Sequence, residues 1–162
     1  MAKRQKIILL LSAIFMIAGI AFVVWEYNQW VEAKESFERP SIEMSAQQGV
    51  PEVPEDLGYA YIQDEALPYT AHLCGVFSEN NGSADLYFTN DDTNDYLMLL
   101  KVEGENGKLL GETGLIKPGE YVKSVKLNES PEAGSDIRLR IVAYEPETYY
   151  SAGSVVLNTT AS

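Results

Sequence analysis

His72 and Cys74 come closest to a catalytic pair in this 162-residue chain, which has no second histidine or cysteine. Such a pair works when the imidazole takes the thiol proton and the thiolate attacks a substrate. Spaced i and i+2 on a strand, the two side chains share a face. Thiolate chemistry instead needs its groups to converge from separate strands. Arg138 and Arg140 are available to complete a sortase-like trio, but no Thr-Leu-x-Thr-Cys sequence is present. The expectation is a small buried cysteine beside a surface histidine, in a chain that is not an enzyme.

Three further clusters carry recognisable chemistry. Asn90-Asp91-Asp92-Thr93-Asn94-Asp95 gathers several carboxylate and amide oxygens, and calcium takes six to eight oxygens. The spacing is not that of an EF-hand, and Asn and Asp also dominate turns because they bond to their own backbone. A turn is the expectation, with no metal or other cofactor. Tyr144 to Tyr150 (YEPETYY) places Tyr144, Tyr149 and Tyr150 in a loop near the end of the domain. Tyrosines offer large contact area at low entropic cost, so these three are the candidate residues for binding a protein or glycan partner. Leu67-Pro68-Tyr69-Thr70-Ala71 has the form of a sortase substrate signal. It lies mid-chain, and no apolar and basic tail follows before Ser162, so it is read as coincidence.

The elements that must position these groups read as strands. Asp85-Leu86-Tyr87-Phe88 alternates, and Tyr96 to Val102 is a dense apolar run suited to a central strand. Asn106-Gly107 fits a type I′ hairpin returning along Leu109-Leu110. Lys117-Pro118-Gly119-Glu120 fits a type II turn. Tyr121 to Leu127 follows as a strand with Val125 and Leu127 inward. Ile137, Leu139, Ile141 and Ala143 mark one face of the next strand, Arg138, Arg140, Val142 and Tyr144 the other, and residues 153–158 supply the last. About seven short strands at 8–12-residue spacing predict an antiparallel β-sandwich, with a small barrel as the alternative, and the missing Cys…Trp…Cys pattern excludes an antibody-type domain but not an immunoglobulin-like topology.

Ahead of these strands, Ile7 to Trp25 is an apolar stretch behind Lys3, Arg4 and Lys6. Its 19 residues match a bilayer span, and the run continues beyond the small-x-small site at Gly19-Ile20-Ala21. That length favours a retained signal-anchor over a cleaved secretory peptide. The basic head sets the N-terminus in the cytoplasm, and Trp25, Tyr27 and Trp30 suit an outer aromatic belt. The expected organisation is a cytoplasmic tail (1–6), a transmembrane helix (7–25), a stalk and linker (26–57) and an extracellular domain (58–162). All 24 acidic residues follow the apolar stretch with only 9 basic ones, a net charge of −15, which makes nucleic acid and anionic lipid poor partners. One cysteine allows no intrachain disulfide, which leans towards a bacterial surface. The sequons at Asn81, Asn128 and Asn158 are then chance.

Leu86-Tyr87-Phe88-Thr89-Asn90, Gly114-Leu115-Ile116-Lys117-Pro118-Gly119, Val125-Lys126-Leu127, Glu132-Ala133-Gly134 and Ala143-Tyr144 together carry a resemblance. The segment from Leu86 to Leu157 resembles a largely uncharacterised group of small membrane-anchored β-sandwich envelope proteins of Gram-positive bacteria (Firmicutes). Where that pattern has an Asn-Pro-x-x-Asn turn, this chain has Asn90-Asp91-Asp92-Thr93-Asn94. The resemblance implies an anchor, a linker and a compact sandwich, and supplies no activity or site residues. The resulting expectation is a single-pass surface protein, an interaction or structural module of the cell envelope or of a secretion or conjugation apparatus. The alternative is a non-catalytic accessory subunit that positions a surface enzyme.

Overall fold

The computed structural model describes residues 15–27, 39–63 and 68–162, which fall into one unit ending at Arg39 and another running from Pro40 to Ser162. In the first unit residues 15–27 are helical and exposed, a length of about 20 Å at 1.5 Å per residue. No helix among the described residues is long and apolar enough to cross a membrane. Residues 7–14 of the expected span lie outside the described residues, as do Lys3, Arg4, Lys6 and Trp30. Trp25 and Tyr27 are exposed on the helix, and the rings of Phe22 and Trp25 lie 6.0 Å apart.

Among its described residues the second unit has ten strands: β1 (Gln47–Gln48), β2 (Tyr59–Gln63), β3 (Thr70–Cys74), β4 (Glu79–Asn80), β5 (Ser83–Asn90), β6 (Leu97–Glu103), β7 (Leu109–Glu112), β8 (Glu120–Lys126), β9 (Asp136–Tyr144) and β10 (Ser151–Thr160). They form two antiparallel sheets. The larger has the order β1-β8-β5-β3-β2, with β4 paired to β5, and the smaller has the order β10-β9-β6-β7. Their inner faces share one apolar core, as in a β-sandwich. Ala84, Leu86, Phe88, Val122 and Val125 come from the larger sheet, and Met98, Leu100, Val102, Ile137, Leu139 and Ile141 from the smaller. Each large aliphatic or aromatic side chain buried in this way stabilises by about 1.5–3 kcal/mol.

Several expectations hold in detail. In β9, Ile137, Leu139, Ile141 and Ala143 are all buried, facing the core. β6 lies between β9 and β7, as its dense apolar run required. Asn106 and Gly107 both take positive φ (56° and 75°) in the β6–β7 turn, closed by Lys108 N to Glu105 O at 3.2 Å. Pro118-Gly119 makes the type II turn, with Glu120 N donating to Lys117 O at 3.0 Å and Gly119 at φ 75°. A second Asn-Gly turn, at Asn81 and Gly82 (φ 53° and 77°), joins β4 to β5.

Two expectations change. The alternation read for Asp85 to Phe88 breaks at Tyr87, which takes φ 47° at a bulge. Two residues of β5, Leu86 and Tyr87, oppose the single Lys123 of β8 there, so Leu86, Tyr87 and Phe88 are buried in succession. The second change concerns the residues after Arg39. Residues 40–57, expected as linker, are bonded into the domain, whose compact unit begins at Pro40 rather than at residue 58. Ile42 bridges Leu115 in parallel, and Gln47 and Gln48 pair with Tyr121 and Glu120. The prolines that read as spacer leave this segment without an apolar period, and its attachment runs through main-chain bonds and a few long-range polar side-chain bonds that carry no such signal.

Candidate functional site

β1 lies at one edge of the larger sheet and β2 at the other, so residues 49–58 must return the chain across the sheet. This strap covers the outer face incompletely. Between its first residues and the turn after β5 lies a cleft of about 370 Å³, lined by Gln48, Val50, Tyr59, His72, Thr89 and Asp91 among others.

Strand pairing places the floor. Tyr61 lies directly opposite His72, and Tyr59 opposite Cys74, so all four share the outward face. The imidazole sits against both tyrosines, 5.5 Å from the Tyr59 ring centre at 20° and 5.2 Å from that of Tyr61 at 64°. The Thr89 hydroxyl donates its one proton to Tyr87 O at 3.0 Å. The 2.7 Å contact between the hydroxyls of Tyr59 and Thr89 therefore has Tyr59 as donor. Burial pushes the Tyr59 phenol up, and the nearby Cys74 and Asp91 push it the same way. The phenol stays protonated and locks its ring over the histidine.

The wall opposite the strap is the Asn90–Asp95 turn. Asn90 is fully buried, donating from Nδ2 to Tyr96 O (2.8 Å) and Ile116 O (3.1 Å) and accepting from Asn94 Nδ2 at 2.7 Å. Asn94 also grips β3, accepting from Thr70 N at 2.9 Å and donating to Thr70 O at 2.6 Å. Asp91 Oδ1 accepts from Thr93 N (3.0 Å) and Thr93 Oγ1 (2.6 Å). The bonds from Thr93 hold the Asp91 carboxyl below its ordinary range against the effect of burial, so it is ionised at neutral pH. These oxygens close the turn on itself and on its neighbours. Among the described residues no group of three His, Cys, Asp or Glu side chains is placed to hold a metal.

On the remaining side, Gly49 (φ 101°) donates from its backbone to Gly119 O at 2.9 Å, and Gln48 Nε2 donates to Glu120 Oε1 at 3.0 Å. The type II turn and the strap are thereby joined at the cleft's rim. Val50, 83% exposed, forms its open lip.

His72 and Cys74 share a face as the spacing predicted, but Cys74 is completely buried. Burial, with the Asp85 carboxylate adding to it, pushes the thiol up to about 11. A thiol protonated at neutral pH is not a nucleophile. The arrangement instead offers ring surface, an ionised carboxylate and backbone polar groups around a concave space, which is the equipment of a binding site.

The tyrosine loop is placed elsewhere. Tyr149 N donates to Glu145 O at 2.9 Å, with Tyr149 at φ 59°, and Glu145 N donates to Tyr150 O at 3.0 Å. Tyr144 and Tyr149 pack against a small cluster of Leu97, Leu99 and Leu115 on the outer face of the smaller sheet, while Tyr150 is 66% exposed. Of the sortase-like pentapeptide, Leu67 lies outside the described residues, and Tyr69 and Ala71 are buried in the core.

Sequence reasoning passed over Tyr59, Tyr61, Thr89, Gln48 and Val50. Tyr59-x-Tyr61 alternates as a strand with one aromatic face, which was a usable signal for a platform. That His72 inserts between them depends on the β2–β3 register. No family model, curated protein or solved structure matches the chain.

Proposed function

We propose that the protein is a non-catalytic binding module of a Gram-positive cell envelope, anchored by a single signal-anchor span and displaying its domain outside the membrane. The observation that carries the reading is the cleft over His72, which has an aromatic floor and an ionised carboxylate but no activated nucleophile. The carboxylate and the chain's net charge of −12 favour a neutral or cationic partner, a glycan or a basic protein segment, over an anionic one.

The apolar run of residues 7–25 behind a basic head supports the anchor and its orientation. The strand order supports an immunoglobulin-like topology. β5 and β8 pair in one sheet as strands B and E do, and β6, β9 and β10 neighbour one another in the other as C, F and G do. Tyr150, exposed in the loop on the smaller sheet, offers a second contact point away from the cleft.

Proximity labelling from the full chain in a Gram-positive host tests this reading. Val50→Arg adds a bulky positive charge at the exposed lip without touching the core. It should abolish labelling of the partner that the wild type marks, whereas Tyr150→Ala should leave it detectable. Equal labelling by the Val50→Arg variant would remove the cleft from the proposal. Resistance of the domain to protease added outside intact cells would remove the surface location.

A further inference from the structure

Most side-chain donors around the cleft are already engaged. The Tyr59 hydroxyl donates to Thr89, whose own proton goes to Tyr87 O. Asn90 Nδ2 directs its hydrogens to Tyr96 O and Ile116 O, and Gln48 Nε2 donates to Glu120. An anion needs donors alone, and a sugar needs donors as well as acceptors for its hydroxyls. Both find few here. What the cleft still offers is the ionised Asp91 carboxylate and the ring of Tyr59.

The charge around it has one sign. Residues 40–100, which supply β1 to β5, the strap and the Asn90–Asp95 turn, hold eleven acidic residues and no lysine or arginine. On the strap itself Glu52, Glu55 and Asp56 are exposed. Among the described residues that line the cleft, none is Lys or Arg. A concave site ringed by one sign of charge concentrates the opposite ion. The acceptor set also distinguishes between cations. A guanidinium pairs best with both oxygens of a carboxylate at once, and Asp91 Oδ1 already accepts two bonds from Thr93. An ammonium is a compact charge that a single oxygen can hold, and it is attracted to an aromatic face within about 6 Å of the ring centre.

We infer that the cleft over His72 takes the ammonium group of a lysine side chain, presented by a basic segment of a partner protein, with Asp91 as its counter-charge and Tyr59 as its ring. The inference rests on the reading of this cleft as the binding site, and narrows the partner from a glycan or a basic segment to the segment. Val50 at the open lip gives the alkyl stem of the lysine an apolar surface to lie on while its head reaches the carboxylate. Further basic residues of the same segment meet the acidic strap, which speeds encounter more than it adds final affinity.

Nuclear magnetic resonance of the full chain in neutral detergent micelles tests the inference, with the ring of His72, the one histidine, as reporter of the cleft. A blocked peptide that alternates glycine with lysine should shift the ring signals and saturate. The same peptide with acetylated lysines should bind about tenfold more weakly or worse, and one with arginines should also be weaker. Asp91→Asn keeps an acceptor for Thr93 and should lower the affinity for the lysine peptide by about tenfold. Glu147→Gln, the same change of charge in the exposed tyrosine loop of the other sheet, should leave it within about twofold. No shift with the lysine peptide, equal affinity for its acetylated form, or equal losses in the two variants would each overturn the lysine assignment. A shift with the uncharged sugar cellotetraose in place of the peptide would overturn it while leaving the cleft a binding site. Failure of that broader reading shows separately, as partner labelling that Val50→Arg does not change.

Discussion

Both sheets carry a chain segment across or alongside their outer face, with opposite results. On the smaller sheet, residues 41–43 run beside Gly114 and Leu115, and Tyr144 and Tyr149 pack over the buried cluster of Leu97, Leu99 and Leu115. On the larger sheet, the strap of residues 49–58 leaves a cleft over His72. The difference follows from the side chains beneath. Leucines offer no polar atom, and a cover that fits them is stabilised by burial alone. Rings with hydroxyl and imidazole groups must keep hydrogen-bond partners or solvent, so a close apolar cover would strand them. A sheet face becomes packing or a site according to the polarity of its outward residues.

The contrast predicts unequal sensitivity. Leu115→Ala, at a completely buried position, should cost about 2–5 kcal/mol in chemical denaturation, while Val50→Ala on the cleft's lip should stay within about 0.5 kcal/mol. Equal losses would mean that the strap is packed as tightly as the sealed face.

Gly114→Ala probes the same cover without touching a leucine. A Cβ there would lie 2.6 Å from Glu43 N and 2.7 Å from Glu43 Cα, closer than backbone atoms tolerate. Displacing residues 41–43 should cost about 1–3 kcal/mol and raise hydrogen exchange at Glu43 and Leu115, leaving the amides of β2 and β3 unaffected.

The smallest effect is one of pH. Burial raises the Glu43 carboxyl, but bonds from Gly114 N (2.7 Å), Ser45 Oγ (2.7 Å) and Ser45 N (2.9 Å) outweigh it and hold the group below its ordinary range. A carboxyl lowered in the folded state contributes stability above its unfolded value, and that contribution is lost as pH falls through the folded value. The protein should therefore lose stability as pH drops below about 4, the ordinary carboxylate range, and Glu43→Gln should remove part of that slope. Glu103, lowered chiefly by its hydrogen bond from Arg140 and opposed by burial, contributes to the remainder. An unaltered slope in the Glu43→Gln variant would show that the segment is held without its carboxylate.

Local chemistry made much of the fold legible. The faces of β9, the central run of β6 and the turns at Asn106-Gly107 and Pro118-Gly119 are written in patterns that span a few residues. The bulge at Tyr87 was not legible, because its insertion exists only relative to β8. Nor was the attachment of residues 40–57, whose main-chain bonds to Leu115, Gly119 and β8 use atoms common to all residues and whose side-chain bonds, Glu43 to Gly114 and Gln48 to Glu120, join residues far apart in the chain. For the candidate site, the sequence showed that one histidine, one cysteine and an Asx-rich turn existed. Both the buried cysteine and the self-bonded turn were expected from residue type, but the sequence did not show that Asn94 would tie the turn to Thr70 of β3 or that the turn would form one wall of a cleft.

The sequence by itself determined an apolar segment behind a basic head, an acidic remainder and a β-rich domain, because composition and short-range periodicity are properties of neighbouring residues. Only the tertiary structure decided that Tyr59, Tyr61 and His72 form one platform and that the strap leaves a cleft above it. Those are matters of register and coverage, set by which distant segments satisfy one another's hydrogen bonds and apolar surface.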